Sequence, residues 1–329
     1  MRIKIILSPY FEIYAMQILV RKKNICTNLS GNKVKVAILG AGRIATDLLI
    51  KVIRSSFLEC SVVVSRSSDS KGIKVAIENN IPVAFNSIKY FIDNPDCCDI
   101  VFDTTTAKAH LKHAPILNKL NKFVVDLTPS GFGKICVPIL NANECMTFKN
   151  VNMITCSGQA TIPVISEILK IQPDTEYIEV VTSASSISVG MATRENFDEY
   201  IQTTKNAAIN FSGLRNIKVL ALVNPAKPPV TMLNTIYAII KNPDMKAIKS
   251  AVEKVVNTLR KYVPGYKLVM EPTFQSGKII LMIGVEGLGD YLPKFAGNLD
   301  IINCAAINIA ERFAQKIKKK DPSSISLVM

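Results

Sequence analysis

Residues 33–53 read K-V-K-V-A-I-L-G-A-G-R-I-A-T-D-L-L-I-K-V-I. The apolar run before the glycines predicts a buried strand over residues 34–39, and the helical spacing of apolar residues after them predicts a helix. Between them, Gly40-Ala41-Gly42 completes the pattern G-x-G-x-x-A, which in a strand–turn–helix setting is typical of dinucleotide-binding folds. The first glycine permits the tight turn, and the second lets the backbone approach a pyrophosphate at the helix N-terminus. This stretch therefore predicts a nucleotide site.

The segments that follow continue the alternation of strand and helix. Strands are predicted at residues 61–64, 99–102 and 122–126, with helices near 73–78 and over the segment that carries His110 and His113. Regular alternation of this kind predicts a doubly wound parallel sheet. We interpret the two histidines as surface or capping residues and not as a catalytic base, because they lie away from any acidic residue in sequence.

The residues after the second predicted strand bear on the choice of nucleotide. An acidic residue here would bind the adenosine ribose, but this chain has Ser65-Arg66-Ser67-Ser68. Arginine and serine at this place suit a 2′-phosphate, or an arginine stacked on adenine. NADP(H) therefore stays open beside NAD(H).

A second informative stretch, residues 151–163, reads V-N-M-I-T-C-S-G-Q-A-T-I-P. Its β-branched and apolar start predicts a short strand, and the apolar run that follows has helical spacing. Cys156 therefore falls at the N-terminus of a helix, where the helix dipole and free N–H groups favour a thiolate and can bind an oxyanion. Cys156 is a candidate nucleophile; the alternative is a buried cysteine that ends a strand.

Beyond Cys156 the alternation becomes irregular. Strands are predicted at residues 177–186, 218–223 and 278–286, and helices near 196–211 and 245–263. This order predicts an α+β domain with an open sheet. A last amphipathic helix is predicted over residues 298–318, with Asn298 as its cap and facing the site.

The composition limits the class of protein. The chain has 329 residues, 48% hydrophobic and 20% charged, which suits two domains. It contains no apolar run of the roughly 20 residues that a membrane span requires, so we expect a soluble protein without a membrane partner. Eight irregularly spaced cysteines and two histidines predict neither a metal site nor a disulfide framework, and they fit a reducing, cytoplasmic compartment.

The formal net charge of +14 raises the question of nucleic-acid binding. The lysines are spread along the chain without interleaved aromatic residues, so we expect no nucleic-acid partner. Residues 1–32 are basic and poor in acidic residues, which suits either an unstructured extension or an organellar transit peptide.

Eight segments occur in an order that resembles one enzyme family. They are G-A-G-R-I-A-T-D, V-F-D-T-T-T-A-K-A-H, V-D-L-T-P, V-N-M-I-T-C-S-G-Q-A-T-I-P, T-R-E-N-F-D-E-Y, N-P-A-K-P-P, Y-V-P-G-Y and Y-L-P-K-F-A-G-N-L-D-I. Together they resemble the acylating acetaldehyde dehydrogenases, oxidoreductases that act with 4-hydroxy-2-oxovalerate aldolase in the catabolism of aromatic hydrocarbons. The resemblance covers about residues 33–314.

The resemblance implies a domain organisation. After the basic extension (1–32) come a Rossmann dinucleotide-binding domain (33–155), a catalytic and dimerisation domain (156–297) and a C-terminal helix that returns to the first domain (298–329). It also implies a homodimer, with 4-hydroxy-2-oxovalerate aldolase as a further partner.

Carried over position by position, the resemblance makes Cys156 the acyl-thioester nucleophile. It implies nucleotide contacts in the glycine turn, in a second segment and at the start of the last helix: Gly40, Ala41, Gly42, Arg43, Ile44, Ser188, Val189, Gly190, Met191, Ala192, Thr193, Arg194, Glu195, Asn196 and Asn298. Asn298 is also a candidate oxyanion contact. The second catalytic position is Asn234, where the family usually has an aspartate that is thought to help deprotonate the cysteine.

The chain departs from the family pattern at two places. Because the asparagine at position 234 cannot accept a proton, we expect slower acylation or an upward shift of the pH optimum. The second nucleotide segment reads I-S-V-G-M-A-T-R instead of K-S-A-G-P-G-T-R, which predicts a looser cradle or one shaped for another nucleotide.

The implied reaction converts acetaldehyde or a short aldehyde, NAD+ and coenzyme A into acyl-CoA and NADH through a cysteine thioester. The N–H groups of Ser157 and Gly158, with Asn298, are expected to bind the tetrahedral oxyanion. Two alternatives stay open. One is a related semialdehyde dehydrogenase or acyl reductase with another aldehyde and NADP, and the other is a catalytically weakened subunit of an aldolase complex.

Overall fold

The computed structural model describes residues 33–190, 193–194 and 197–320. The predicted extension (1–32) and residues 321–329 lie outside these ranges. The described strands are β1 Val34–Leu39, β2 Leu58–Val64, β3 Val83–Ala84, β4 Ile100–Asp103, β5 Phe123–Asp126, β6 Lys134–Ile135, β7 Asn150–Asn152, β8 Tyr177–Ser185, β9 Ile217–Asn224, β10 Met232–Ile239, β11 Tyr266–Gln275 and β12 Lys278–Val285. The helices are α1 Arg43–Arg54, α2 Lys71–Glu78, α3 Lys89–Asp93, α4 Ala107–Lys119, α5 Pro138–Cys145, α6 Cys156–Ile171, α7 Phe197–Ser212, α8 Met245–Leu259 and α9 Gly297–Lys320. Among these helices, none has the length and apolar character needed to cross a bilayer.

The first sheet contains seven parallel strands in the order β3-β2-β1-β4-β5-β7-β6. Alternate residues of β1 point to opposite faces: Val36 and Ile38 belong to one core cluster, and Ala37 and Leu39 belong to another. Because β1 lies between β2 and β4, the winding reverses there, and the crevice at the strand carboxyl ends is the usual ligand site of such sheets. The predicted doubly wound parallel sheet is confirmed.

The second sheet contains five strands in the order β11-β12-β10-β8-β9, with β8 and β9 parallel and the other pairs antiparallel. Helix α6 supplies Ile162, Ile165 and Ile168 to the core beneath this sheet. The predicted α+β region is confirmed, although the sequence reasoning missed β10 and β11. The predicted domain boundary at residue 156 coincides with the start of α6, and the division into domains stays a prediction.

Helix α9 returns to the first sheet, as predicted. Its apolar face, which includes Ala305 and Ile309, lies in the same core cluster as Val36 of β1. The ring of Phe313 stacks on Phe123 of β5, with 3.9 Å between ring centroids. The helix begins at Gly297, so Asn298 is a residue of its first turn, and the prediction that Asn298 caps the helix is wrong.

A buried ion cluster joins α9 to α1. The Nζ atom of Lys51 lies 2.8 Å from Asp47, 3.0 Å from Asp290 and 2.7 Å from Asp300. Burial disfavours the lysine charge, but the carboxylates of Asp300 and Asp47 outweigh it and raise the pKa of Lys51 above its ordinary value. The ammonium group thus occupies the space between three carboxylates and connects the first helix, the segment after β12 and the last helix.

The two histidines form a second buried cluster. The Nδ1 atoms of His110 and His113 each lie 3.0 Å from the same Asp103 oxygen, and Nε2 of His110 lies 3.3 Å from Asp126. Both rings are buried, so their assignment to the surface is wrong. The sequence reasoning overlooked that Asp103 and Asp126 end adjacent parallel strands, whose carboxyl ends meet beside α4. Although burial opposes the charge, the hydrogen bond to Asp103 raises the pKa of His110.

Candidate active site

Cys156 is the first residue of α6, as predicted. The preceding residue, Thr155, caps the helix: its hydroxyl oxygen accepts the Gly158 N–H at 3.0 Å. Ile154 has a φ angle of 62°, a left-handed conformation that is unusual for a β-branched residue. This strained turn directs the chain from β7 into the helix and places the cysteine at its N-terminus.

Tyr200 of α7 contacts the cysteine directly. Its hydroxyl oxygen lies 3.1 Å from the Cys156 sulfur and accepts the Ser157 N–H, also at 3.1 Å. The ring of Tyr200 stacks on Phe197 with 6.2 Å between centroids. Tyr200 ends the motif T-R-E-N-F-D-E-Y, but nothing in that motif indicates a contact with Cys156, so Tyr200 is not among the residues predicted from sequence.

The surroundings of Cys156 shift its pKa in opposite directions. Burial raises the pKa of the Cys156 thiol, and the hydrogen bonds with Tyr200 and with the Ser157 backbone lower it only in part. The net direction is upward, so burial opposes the thiolate that the helix N-terminus is expected to favour, and that expectation stays a prediction.

The predicted oxyanion donors are already engaged. The Ser157 N–H donates to Tyr200 and the Gly158 N–H donates to the Thr155 cap. In this structure, therefore, neither group is available to a ligand. Asn298 is held more loosely, because its Nδ2 atom donates to the Ser188 carbonyl over 3.4 Å.

The glycine turn has the shape of a nucleotide cradle. Gly40 has a φ angle of 120°, and a Cβ atom there would lie 2.3 Å from the Thr104 hydroxyl oxygen, so the position requires glycine. Gly42 is different, because a Cβ atom there would meet no atom within 4 Å. Gly42 precedes α1 and provides no side-chain cap for it. The free space at Gly42, at the start of a helix whose first N–H groups can bind an anion, leaves room for a pyrophosphate to approach the backbone.

The two predicted nucleotide segments meet in the structure. Arg43, the first residue of α1, donates from Nη1 to the Ile187 carbonyl oxygen at 2.6 Å. Within the second segment the Ser188 hydroxyl donates to the Ser185 carbonyl, and the Arg194 guanidinium donates to the Ser186 and Val189 carbonyls. Four of its predicted contacts lie outside the described residues: Met191, Ala192, Glu195 and Asn196.

A single cavity connects the cysteine to both nucleotide segments. Its described lining is mostly apolar and consists of Ile44, Leu127, Pro129, Ile154, Thr155, Cys156, Thr182, Ala184, Val189, Gly190, Thr193, Phe197, Tyr200, Ala221, Leu222, Val223, Asn298, Leu299 and Ile302. The Oδ1 atom of Asn298 is buried without a hydrogen-bond partner among the described residues. A ligand in the cavity could satisfy this oxygen. The structure thus brings Cys156, Ile44, Gly190 and Asn298 together.

Asn234 lies behind the cavity wall and is fully buried on β10. Its Oδ1 atom accepts from the Thr182 hydroxyl at 2.9 Å, and the Thr182 hydroxyl lies 2.6 Å from the Ser157 hydroxyl. Its Nδ2 atom donates to the Ile283 carbonyl at 3.4 Å. Asn234 therefore reaches the helix of Cys156 through two hydroxyl groups, and its hydrogen bonds do not lead directly to the sulfur.

Comparison with known proteins identifies the family. The family model described as "Prokaryotic acetaldehyde dehydrogenase, dimerisation" matches residues 156–293. An acetaldehyde dehydrogenase from Pectobacterium atrosepticum is 46% identical over 287 residues, covering 87% of this chain and 97% of that protein. Another, from Spirochaeta aurantia, is 45% identical over 287 residues, with the same two coverages. The chain belongs to the acetaldehyde dehydrogenase family.

The resemblance inferred from the eight motifs is thus confirmed, and the chain is an oxidoreductase of this family. The acetaldehyde dehydrogenase match over residues 156–293 is to a dimerisation region, which supports the predicted homodimer. Cys156, the predicted nucleophile, is the first residue of that match.

Solved structures of a related class share the fold. Aspartate semialdehyde dehydrogenase II from Vibrio cholerae has a TM-score of 0.59 with this acetaldehyde dehydrogenase-family chain, at 14% sequence identity, covering 86% of this chain and 99% of that one. A complex of the same enzyme gives a TM-score of 0.57 at 15% identity, covering 88% and 99%. At these identities the likeness supports the fold alone.

Proposed function

We propose that this chain is a CoA-acylating aldehyde dehydrogenase that converts acetaldehyde, or a short aldehyde, with NAD+ and coenzyme A into acyl-CoA and NADH. Family membership supports the oxidoreductase activity, and the acetaldehyde dehydrogenases at 45–46% identity support the choice of aldehyde. The observation that carries the proposal is the shared cavity. Cys156 lies in one wall, and Ile44 of the nucleotide turn lies in another.

The residues around the cavity suggest how the nucleotide is held. The N–H groups that follow Gly42 would bind the pyrophosphate, and Val189, Gly190 and Thr193 would form the opposite wall. When bound, NAD+ supplies the acceptor for the hydride that the substrate loses. The chain itself contributes the nucleophile, the oxyanion donor and a mostly apolar environment.

Cys156 carries the acyl group in this mechanism. Its sulfur adds to the aldehyde carbon, and loss of hydride from the adduct leaves a thioester on Cys156. The thiol of coenzyme A then takes the acyl group and returns the cysteine. Because the Ser157 and Gly158 N–H groups are engaged, we assign the tetrahedral oxygen to Nδ2 of Asn298, which has only a long bond to break. Loss of such a donor costs about two to three orders of magnitude in rate.

The test combines turnover with detection of the intermediate. We expect acetaldehyde-dependent NADH formation that requires coenzyme A, and mass spectrometry after incubation with acetyl-CoA should show an acetyl group on the peptide that contains Cys156. Cys156→Ser should lose both signals. NADH formation by Cys156→Ser at the wild-type rate would exclude Cys156 as the nucleophile.

The nucleotide and the partners are separate questions. Arg66 is exposed in the segment after β2, so a comparison of NADH with NADPH dissociation constants decides between the two cofactors.

The homodimer is supported by the dimerisation region. The aldolase partner, the cytoplasmic location and the alternative of a weakened subunit stay predictions, whereas the semialdehyde dehydrogenase alternative fits the family match less well.

A further inference from the structure

We propose that Tyr200 is a catalytic residue of this chain: its hydroxyl donates a hydrogen bond to the Cys156 sulfur and thereby supports the thiolate that attacks the aldehyde. The inference rests on the proposed function, because it assumes that Cys156 is the nucleophile. The inference assigns stabilisation of the Cys156 thiolate to a tyrosine, whereas the sequence predicted the helix dipole and the residue at position 234 for this role.

The direction of the hydrogen bonds follows from the donors present. A backbone N–H can only donate, so the Ser157 N–H uses a lone pair of the Tyr200 oxygen at 3.1 Å. The hydroxyl proton of Tyr200 is then available to the Cys156 sulfur, also at 3.1 Å. A thiolate can only accept. Burial and the nearby Cys156 raise the pKa of Tyr200 well above its ordinary value, so the hydroxyl keeps its proton as the cysteine titrates.

The cavity offers little else for this task. Its described lining comes from α1, α6, α7, α9, β8 and β9 and from the loops that contain residues 127–129, 154–155, 189–190 and 193. The only titratable side chains in this described lining belong to Cys156 and Tyr200. His110 and His113 are bound to Asp103 in their own buried cluster. Asn234 has no acidic proton to exchange and leads to Ser157 through Thr182. Among the effects that lower the cysteine pKa, the hydrogen bond with Tyr200 is the largest.

The hydroxyl group is held in place by its surroundings. The carbonyl of Tyr200 accepts from the Thr204 hydroxyl at 2.8 Å, and that hydroxyl lies 2.7 Å from the hydroxyl of Thr155, the cap of α6. Helix α7 is thus tied to the turn that presents Cys156. The Ser157 N–H at the helix N-terminus donates to the Tyr200 hydroxyl, and this hydroxyl donates to the sulfur. The first hydrogen bond polarises the hydroxyl and so strengthens the second.

The test is the pH dependence of iodoacetamide alkylation at Cys156, followed by mass spectrometry of its peptide because the chain has other cysteines. Tyr200→Phe removes only the hydroxyl group. The lost hydrogen bond is one that the Tyr200 hydroxyl donates to a charged thiolate. We therefore expect the midpoint of the alkylation pH profile to rise by about one pH unit, and alkylation below that midpoint to be about tenfold slower. Thermal unfolding followed by circular dichroism establishes that the variant is folded.

Tyr266→Phe is the matched control. The Tyr266 hydroxyl is also buried and donates to the same helix, to the Ala160 carbonyl at 2.6 Å, but it lies outside the cavity. We expect the alkylation midpoint of Tyr266→Phe to equal that of the wild type. An equal rise in both variants would overturn the proposal, because it would mean that loosening of α6 causes the effect.

A second substitution keeps the test decisive if Tyr200→Phe does not fold. Replacement of Tyr200 by 3-fluorotyrosine preserves the shape and strengthens the donor, so the midpoint should fall. An unchanged midpoint in a folded variant overturns the role of Tyr200 while leaving the proposed function intact. Absence of acetaldehyde-dependent NADH formation by the wild type would instead overturn the proposed function, whatever the alkylation profiles show.

Discussion

The Lys51 ammonium lies 2.7 Å from the Asp300 carboxylate, which ties the first helix of the nucleotide-binding sheet to the last helix of the described chain. Asp300 is two residues from Asn298 in the cavity wall. The ion cluster therefore sets where the start of α9 lies relative to the glycine turn.

Lys51→Met should destabilise the protein strongly. The substitution leaves the buried carboxylates of Asp47, Asp290 and Asp300 without their shared cation. Loss of one partner from a buried ion pair costs about 3–5 kcal/mol, and urea unfolding measures it. Lys89→Met, in the exposed pair with Asp93, serves as the control and should change the free energy of unfolding by less than about 1 kcal/mol. Equal stability of the two variants would contradict the role of the cluster.

His110→Gln should destabilise the protein more at pH 5.5 than at pH 9. The pKa of His110 is raised in the folded state, so its contribution is complete below the unfolded value of about 6.5 and is lost as the pH rises through the folded value. Asp103 has a lowered pKa, and its contribution is lost only as the pH falls below about 4. Urea unfolding of both proteins at the two pH values tests this, and a pH-independent difference would contradict it.

Gly40→Ala should lower stability, whereas Gly42→Ala should lower nucleotide affinity. Gly40 has a left-handed φ angle and no room for a Cβ atom, so its substitution should cost about 2 kcal/mol or more of stability. Gly42 has room, so Gly42→Ala should stay within about 0.5 kcal/mol of the wild type. The added methyl group should instead weaken nucleotide binding about tenfold or more, since the backbone must approach the pyrophosphate. Fluorescence titration with NADH measures this, and unchanged affinity would exclude the turn as the binding site.

Asn234→Asp should lower the pH optimum or accelerate acylation. A carboxylate at this place can accept a proton from the Thr182 hydroxyl, which the amide cannot, and the Thr182 hydroxyl lies next to the Ser157 hydroxyl on the helix of Cys156. Rapid mixing, with the first turnover of NADH followed against pH, separates acylation from later steps. Thr182→Val interrupts the path, so the effect of Asn234→Asp should disappear in the double variant. If Asn234→Asp alone changes neither rate nor pH profile, position 234 has no part in activating the cysteine.

Much of the fold was predictable because its signals are local. The apolar run of β1, the two turn glycines and the helical spacing of α1 lie within residues 33–53. Strand β11 gave no such signal, because it is an edge strand with many exposed residues and contains Pro272. Strand β10 was missed because the polar pair Asn234 and Thr235 interrupts its apolar run.

Site residues were predictable from sequence only where they lie within a local motif. Cys156 and the glycine turn could be located from sequence, since both follow a strand and open a helix. Tyr200 and Cys156 lie on different helices and are 44 residues apart in sequence, so no local pattern predicts their contact. The histidine cluster was misread because its acidic partners are close only after the parallel strands pair.

The return of α9 to the first sheet has a consequence for synthesis on the ribosome. The strands of that sheet are complete at Asn152, but α9, which packs in the core on one of its faces together with α1, α2 and α5, spans Gly297–Lys320. At elongation rates of about 5–20 residues per second, the apolar residues that α9 contacts stay exposed for on the order of ten seconds before this helix is synthesised. We therefore expect chaperones that bind exposed apolar surface to bind a nascent chain of this length, and we expect stalled translation before residue 297 to give an aggregation-prone product.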